Sequence, residues 1–277
     1  MTKGTVSQSG SRLNADTAKG LAVLPGVLRL SYNSFSSAAA RALAAFQGKR
    51  IELEELPRMD EQSARSFLRL AEAGKVSIAW LRARRLIGHI ERSTVLALAR
   101  YADSVDLDGL PDLTASEANA LADFEGVQIL LYLDRLDKKT AVNLAKASPE
   151  LLHVSVKHAT DAALIALAES NATDELQIHL ESGSLSARSA AALARFRGHT
   201  FWLVLRKSPT VSVMREIAQF NNHLSIYIPI VTPDIAKTLA DSNGTLDLDY
   251  DKSSSPVVET ILSNSNREIT NIDGLLD

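Results

Sequence analysis

Two rhythms of apolar residues alternate along this chain. In the first, an apolar pair sits inside an alanine-rich stretch, as in Leu21-Ala22, Leu43-Ala44, Leu121-Ala122, Leu144-Ala145 and Ile261-Leu262, eleven copies in all. Apolar neighbours lie three and four residues apart, for example Ala118, Leu121, Ala122 and Phe124, which predicts one face of a short helix. In the second rhythm apolar and other residues alternate strictly: VLRLS, RIELE, KVSIA, SVDLD, LQIHL, FWLVLR and LDLDYD. Period two predicts short strands with one face buried. Successive apolar pairs are 22, 24, 31, 23, 23, 23, 26, 24, 22 and 22 residues apart, so the period is close to 23 with two insertions.

Each copy opens on Ser, Thr or Asp, as in SSAAARALA, TASEANALA, TDAALIALA and TPDIAKTLA. A side-chain oxygen there satisfies free N–H groups of the first helical turn. In TPD, Thr232 caps, Pro233 takes the first helical position and Asp234 complements the helix dipole. Gly26, Gly48, Gly74, Gly126, Gly198 and Gly244 follow the helices, where a left-handed residue would stop them. A strand that returns after a helix in the same sense pairs in parallel, by a right-handed crossover. One unit of about 23 residues cannot bury its apolar face alone, whereas stacked copies can. The expected fold is therefore α/β, a right-handed solenoid of about eleven strand–helix repeats with one parallel sheet. Residues 1–12 are expected to form a flexible tail, residues 13–277 a single repeat domain, and the polar SSPVVETILSNSNREITNIDGLLD a degenerate capping repeat.

The pattern S/T-x-x-A-x-x-L-A-x-(F/L)-x-G-x-x-L-x-L resembles the leucine-rich-repeat-like α/β solenoids of many bacterial proteins, over residues 13–277. It departs from the standard leucine-rich repeat in lacking a regular Asn or Cys after the strand. The resemblance implies protein–protein recognition on the sheet face and brings no catalytic residues with it.

Composition narrows the picture. With 45% hydrophobic and 23% charged residues the 277-residue chain is globular, and no apolar run is long enough for a membrane span. Formal charge of −3 gives no global drive towards nucleic acid or anionic lipid, and neither is an expected partner. The absence of cysteine excludes disulfides, thiol nucleophiles and cysteine-ligated zinc. The start, MTKGTVSQSGSR, lacks the apolar core of a signal peptide. A cytoplasmic location is expected, with export by a signal-peptide-independent route as the alternative.

If the strand leucines face the helices, the residues between them face outward. One outward column reads Arg29, Glu52, Ser77, Asp106, Leu130, His153, Gln177, Trp202, Ser225, Asp247. The next includes Tyr132, Ser155, His179, Val204, Tyr227 and Asp249, and a third, at the strand ends, Asp134, Lys157, Glu181, Arg206 and Asp251. Leu130, Tyr132, His153, His179, Trp202, Val204 and Tyr227 form an apolar and aromatic cluster, the material of interface hot spots, and are the candidate binding residues. Arg82, Arg84, Arg85 and Arg92, in the 31-residue interval, form a second candidate that would touch an acidic protein surface or a nucleic-acid phosphate; a lengthened loop leading into a longer solvated helix is the plain alternative. Asp247, Asp249 and Asp251 are read as a solvated acidic strand, and Lys157, Glu181 and Arg206 as a cross-strand charge ladder.

Catalysis is not expected. His89, His153, His158, His179, His199 and His223 lack metal-ligand spacing, and no phosphate-binding or nucleophile-elbow motif meets a strand–helix junction. No cofactor or metal is implied. The expected function is a non-enzymatic module binding another protein through the sheet face. The alternatives are a bacterial effector using that face on a host protein, and a self-assembling homo-oligomer pairing through exposed strand edges.

Overall fold

The computed structural model describes residues 4–170, 174–242, 244–253, 256–263 and 269–271. Strand and helix alternate throughout, and the strand order in the parallel sheet is the chain order. Two compact units make up the chain, Met1–Leu110 with Asp123–Leu130 and Pro111–Ala122 with Leu131–Asp277.

The first unit contains β1 Thr5–Leu13, α1 Ala15–Ala22, β2 Val27–Phe35, α2 Ser37–Ala44, β3 Arg50–Glu55, α3 Glu61–Glu72, β4 Val76–Arg82, α4 Arg92–Ala99 and β5 Ala102–Asp106. β6, Gln128–Leu136, begins in it. The second unit contains α5 Ala115–Ala120, the rest of β6, α6 Lys138–Leu144, β7 Leu151–Ala159, α7 Asp161–Ala168, β8 Glu175–Leu180 and α8 Ala187–Leu193. It continues with β9 Thr200–Leu205, α9 Val211–Ile217, β10 His223–Val231, α10 Pro233–Ala240, β11 Thr245–Ser253, α11 Pro256–Ser263 and β12 Ile269–Asn271. Of the expected capping segment, residues 254–255, 264–268 and 272–277 lie outside the described residues.

These helices, mostly six to eight residues long, are too short to hold by propensity alone, and caps supply the missing stability. Asn14, Ser36, Asp60, Thr114, Asp137, Thr160, Ser186, Thr210 and Thr232 each accept the N–H three residues on. Each such cap is worth about 1 kcal/mol. α4 has no side-chain cap of its own, because Glu91 stands where a Ser or Thr would be. The Glu61 carboxylate of α3 replaces it, accepting the Glu91 N–H at 2.7 Å and the Thr94 hydroxyl at 2.7 Å. Partial burial disfavours the charge on Glu61, but these bonds and Arg65 outweigh it and hold its pKa below the usual carboxylate value.

Leucine, isoleucine and valine of alternate strand positions meet the helix faces in the core, joined by fully buried Phe67, Phe124, Phe201 and Phe220. Phe196 and Phe220, each ahead of a strand, both pack on Phe201 of β9, with ring centroids 6.5 and 5.8 Å away.

Three expectations change. Thr5–Leu13, within and just beyond the expected tail, forms β1, paired with β2 from Thr5↔Val27 to Leu13↔Phe35. Only Leu13 of this strand is buried, so the alternation that reveals a strand in sequence is missing. Of the glycines read as left-handed helix stops, Gly26 and Gly74 do have positive φ, 93° and 68°. Gly48, Gly126 and Gly198 do not. They are needed because a Cβ would strike the backbone of the preceding repeat, 2.8 Å from Gly26 O, 2.5 Å from Asp103 O and 2.9 Å from Asp174 O respectively. The third change is one of register. Asp106 is the partner of Arg82, five residues along β4 from the expected Ser77. In β4 the buried positions Ile78 and Leu81 are three apart, so alternation breaks where the long interval begins.

Candidate functional site

In the arginine cluster of the 31-residue interval, two members make ion pairs. Arg84 pairs with Asp108 at 3.2 Å and Arg85 with Glu55 at 2.9 Å. Arg82 lies over the Trp80 ring, 5.6 Å from its centroid. Arg92 is half-buried at the start of α4, which has eight residues and a largely buried sequence rather than the longer solvated helix of the plain alternative. Trp80 belongs to β4 opposite Ser104, and the outward columns expected from sequence miss it because of the register change.

On the outward face of the first unit, Glu52 accepts from Arg29 at 2.6 Å and Arg50 at 2.5 Å. Hydrogen bonds from Arg29 and then Arg50 hold its pKa below the usual value. Around this triad lies a hollow of about 680 Å³ with small residues Ser7, Ser9, Ser31, Ser77 and Ala79 on its surface. Leu130 also belongs to this unit, half-buried opposite Asp106.

The remaining candidates lie on the outward face of the second unit, and strand register explains their contacts. His153 is opposite Gln177 and Ser155 opposite His179. Gln177 is opposite Trp202 and His179 opposite Val204; Tyr227 follows Val204 on β10. Tyr132 and His153 rings are 5.6 Å apart, and His153 and His179 meet edge to face at 4.6 Å. Tyr132 is 41% exposed, Trp202 and His179 are half-buried, and His153, Val204 and Tyr227 are buried. The expected exposure thus holds for Tyr132, whereas His153, Val204 and Tyr227 are buried.

Polar groups fix the rings in place. The His153 Nδ1–H donates to Gln177 Oε1 at 2.8 Å, and the Gln177 amide donates to Glu175 at 2.6 Å. The Tyr227 hydroxyl donates to Asp251 at 2.8 Å, and the Arg206 guanidinium lies 5.5 Å from the Tyr227 ring centroid. Burial, then the Asp251 carboxylate, raises the Tyr227 pKa. His179 is pushed down to about 4 by burial first, then by His153 and Arg206, so its ring is uncharged at neutral pH. A hollow of about 530 Å³ opens here, bordered by Tyr132, Ser155, His179, Val204 and, at its rim, Glu181 and Arg206.

The charge ladder is only partly a ladder. Lys157 pairs with Asp134 at 2.7 Å, which raises the lysine pKa, but Glu181 takes its hydrogen bond from Ser155 at 3.0 Å. Asp247 faces His223 Nε2 at 3.0 Å. Chemically these contacts commit the hydroxyls. Ser155 donates to a carboxylate, and Ser182 donates to Lys157 O at 2.6 Å with His158 Nδ1 farther off at 3.4 Å, so neither serine is aligned on a basic imidazole. Among the described residues no group of three or more His, Asp or Glu is placed to hold a metal ion, and no helix is long and apolar enough to cross a membrane.

No protein-family model matches the chain, and no curated protein matches it in sequence.

Proposed function

We propose that the chain is a non-enzymatic interaction module that receives another protein on the outward strand face of its second unit. The observation that carries this reading is Tyr132, exposed beside the His153–His179 ring pair at the edge of the 530 Å³ hollow. Aromatic groups fixed by hydrogen bonds and stacking lose little entropy when a partner covers them, which is how a few residues come to dominate an interface. The resemblance to leucine-rich-repeat-like solenoids supports the same reading.

The test is a pull-down from lysate of the source organism with wild-type protein and a Tyr132→Ala/Trp202→Ala variant whose folding is checked by circular dichroism. A partner retained by the wild type and lost from the folded variant is the expected result. Identical partner sets would reject this face.

A further inference from the structure

β1 differs from its neighbour β2 on the helix side. There Val6, Gln8 and Gly10 stand in register with Leu28, Leu30 and Tyr32. Where β2 buries Leu28 and Leu30, β1 leaves Gln8 and Gly10 exposed and Val6 half-buried, so it offers little apolar surface on which a further helix could pack. Gly10 is small because the Tyr32 ring lies over it: a Cβ there would stand 2.9 Å from Tyr32 Cε1. Among the described residues β2 is the one sheet neighbour of β1.

An open strand edge is a template for another strand, and proteins that must avoid such pairing blunt the edge with lysine, proline, a bulge or brevity. β1 has none of these devices. Its nine residues, TVSQSGSRL, include one charge, Arg12, and no proline. The same offset to β2 holds from Thr5↔Val27 to Leu13↔Phe35, so no bulge interrupts it. By contrast β12, last in the strand order, is three residues long. The backbone also aims the right way. Gly26 O accepts from Lys49 N–H, so by alternation Leu28 and Leu30 turn their peptide groups to β3, and the in-register Val6 and Gln8 turn theirs to β2. The N–H and C=O groups of Thr5, Ser7 and Ser9 are left on the open side.

We propose that β1 is a dimerisation edge: a second copy of this chain pairs with it antiparallel, about a two-fold axis at Gln8. In that arrangement the strand is its own complement. Ser7 meets Ser9 of the partner subunit and exchanges main-chain hydrogen bonds with it, Gln8 meets its own counterpart, and Arg12 falls opposite Gly4 of the partner subunit, so no like charges oppose. Centring on Gln8 uses the whole run from Thr5 to Ser11, ahead of the buried Leu13. The same patch serves both copies, so the contact closes at two and does not propagate. It draws on no residue of the second unit and stands independently of the function proposed above.

The experiment is analytical ultracentrifugation over a concentration series, joined to a cross-linking test. Wild-type protein is expected to show a monomer–dimer equilibrium and nothing larger. Ser7→Pro removes an N–H from the open side without touching the β1–β2 ladder, and is expected to weaken the dimer at least about tenfold with circular dichroism unchanged. Should that variant lose its fold, Ser7→Lys/Ser9→Lys, which sets lysines opposite one another, is read in its place. Gln8→Cys supplies the sole thiol of a cysteine-free chain. At a non-hydrogen-bonded antiparallel pair the two Cα atoms stand about 4.5 Å apart, within disulfide reach, so mild oxidation is expected to link the copies, whereas Arg188→Cys, exposed on α8, is expected to leave them separate. A protein that stays monomeric at every concentration, species larger than a dimer, a dimer indifferent to the β1 substitutions, or Gln8→Cys linking no better than Arg188→Cys would each overturn the proposal.

Discussion

The two units share one construction on the helix side and differ on the strand side. In the first, small serines and alanine lie around a carboxylate clasped by two arginines, so the surface is polar and its charged groups are paired with one another. In the second, rings occupy the same kind of outward position and the carboxylates among them lean on a hydroxyl, an amide and a phenol. A repeat scaffold can therefore vary its outward residues without touching its core.

The strongest way to probe the shared half of that comparison is to remove equivalent core rings. Phe124→Ala in the first unit and Phe220→Ala in the second both vacate fully buried sites ahead of a strand. Each is expected to lower unfolding free energy by about 3–5 kcal/mol in urea titrations. A loss under about 1 kcal/mol from either would mean that the helix sides are not built alike.

A smaller effect separates the strand faces through pH. The folded-state pKa of His179 is about 4 against an ordinary value near 6.5, so between these limits the unfolded chain binds a proton that the folded protein refuses. Stability therefore rises with pH across that window: it is complete above about 6.5, falls as acid is added, and stops falling through this group once the folded imidazole also protonates near 4. His179→Gln is expected to remove up to about 3 kcal/mol of this pH dependence. An unchanged slope between pH 4 and 6.5 would show that the ring is not shielded from water.

Tyr227→Phe removes the phenol that orients Asp251, and chemical denaturation is expected to show a loss of about 1 kcal/mol. The counterpart in the first unit, Glu52→Gln, breaks a pair of largely exposed arginine contacts and is expected to cost only a few tenths of a kcal/mol. A larger cost at Glu52 than at Tyr227 would reverse the ranking of the two faces as structural elements.

Much of the scaffold was legible in the sequence because its signals are local and repeated. Thr114, Thr160 and Thr232 announce their helices by position alone, and strict alternation marks β8, β9 and β11. β1 was not legible, since a strand with one neighbour needs little apolar surface and TVSQSGSRL shows none of the pattern. Nor was the Arg82↔Asp106 register, because the extra residues of the long interval can be absorbed anywhere between two strands. At the candidate site the sequence put His153 and His179 in one cluster, where their rings do meet, but could not show that Val204 and Tyr227 are buried. That depends on the neighbouring strands, a lateral packing property absent from any one repeat.

The glycines that meet carbonyl oxygens rather than turning left-handed have a consequence for how such a chain can grow. At Gly48, Gly126 and Gly198 each repeat docks on peptide groups of its predecessor, which every amino acid possesses, and the following N–H seals the joint in two of these places, Lys49 to Gly26 O and Val127 to Asp103 O, both at 2.6 Å. Such a joint does not read the identity of its neighbour. At these joints gene duplication can add or remove a copy without a matching change in the peptide groups it meets, which leaves the core rings and caps as the places where neighbouring copies must agree.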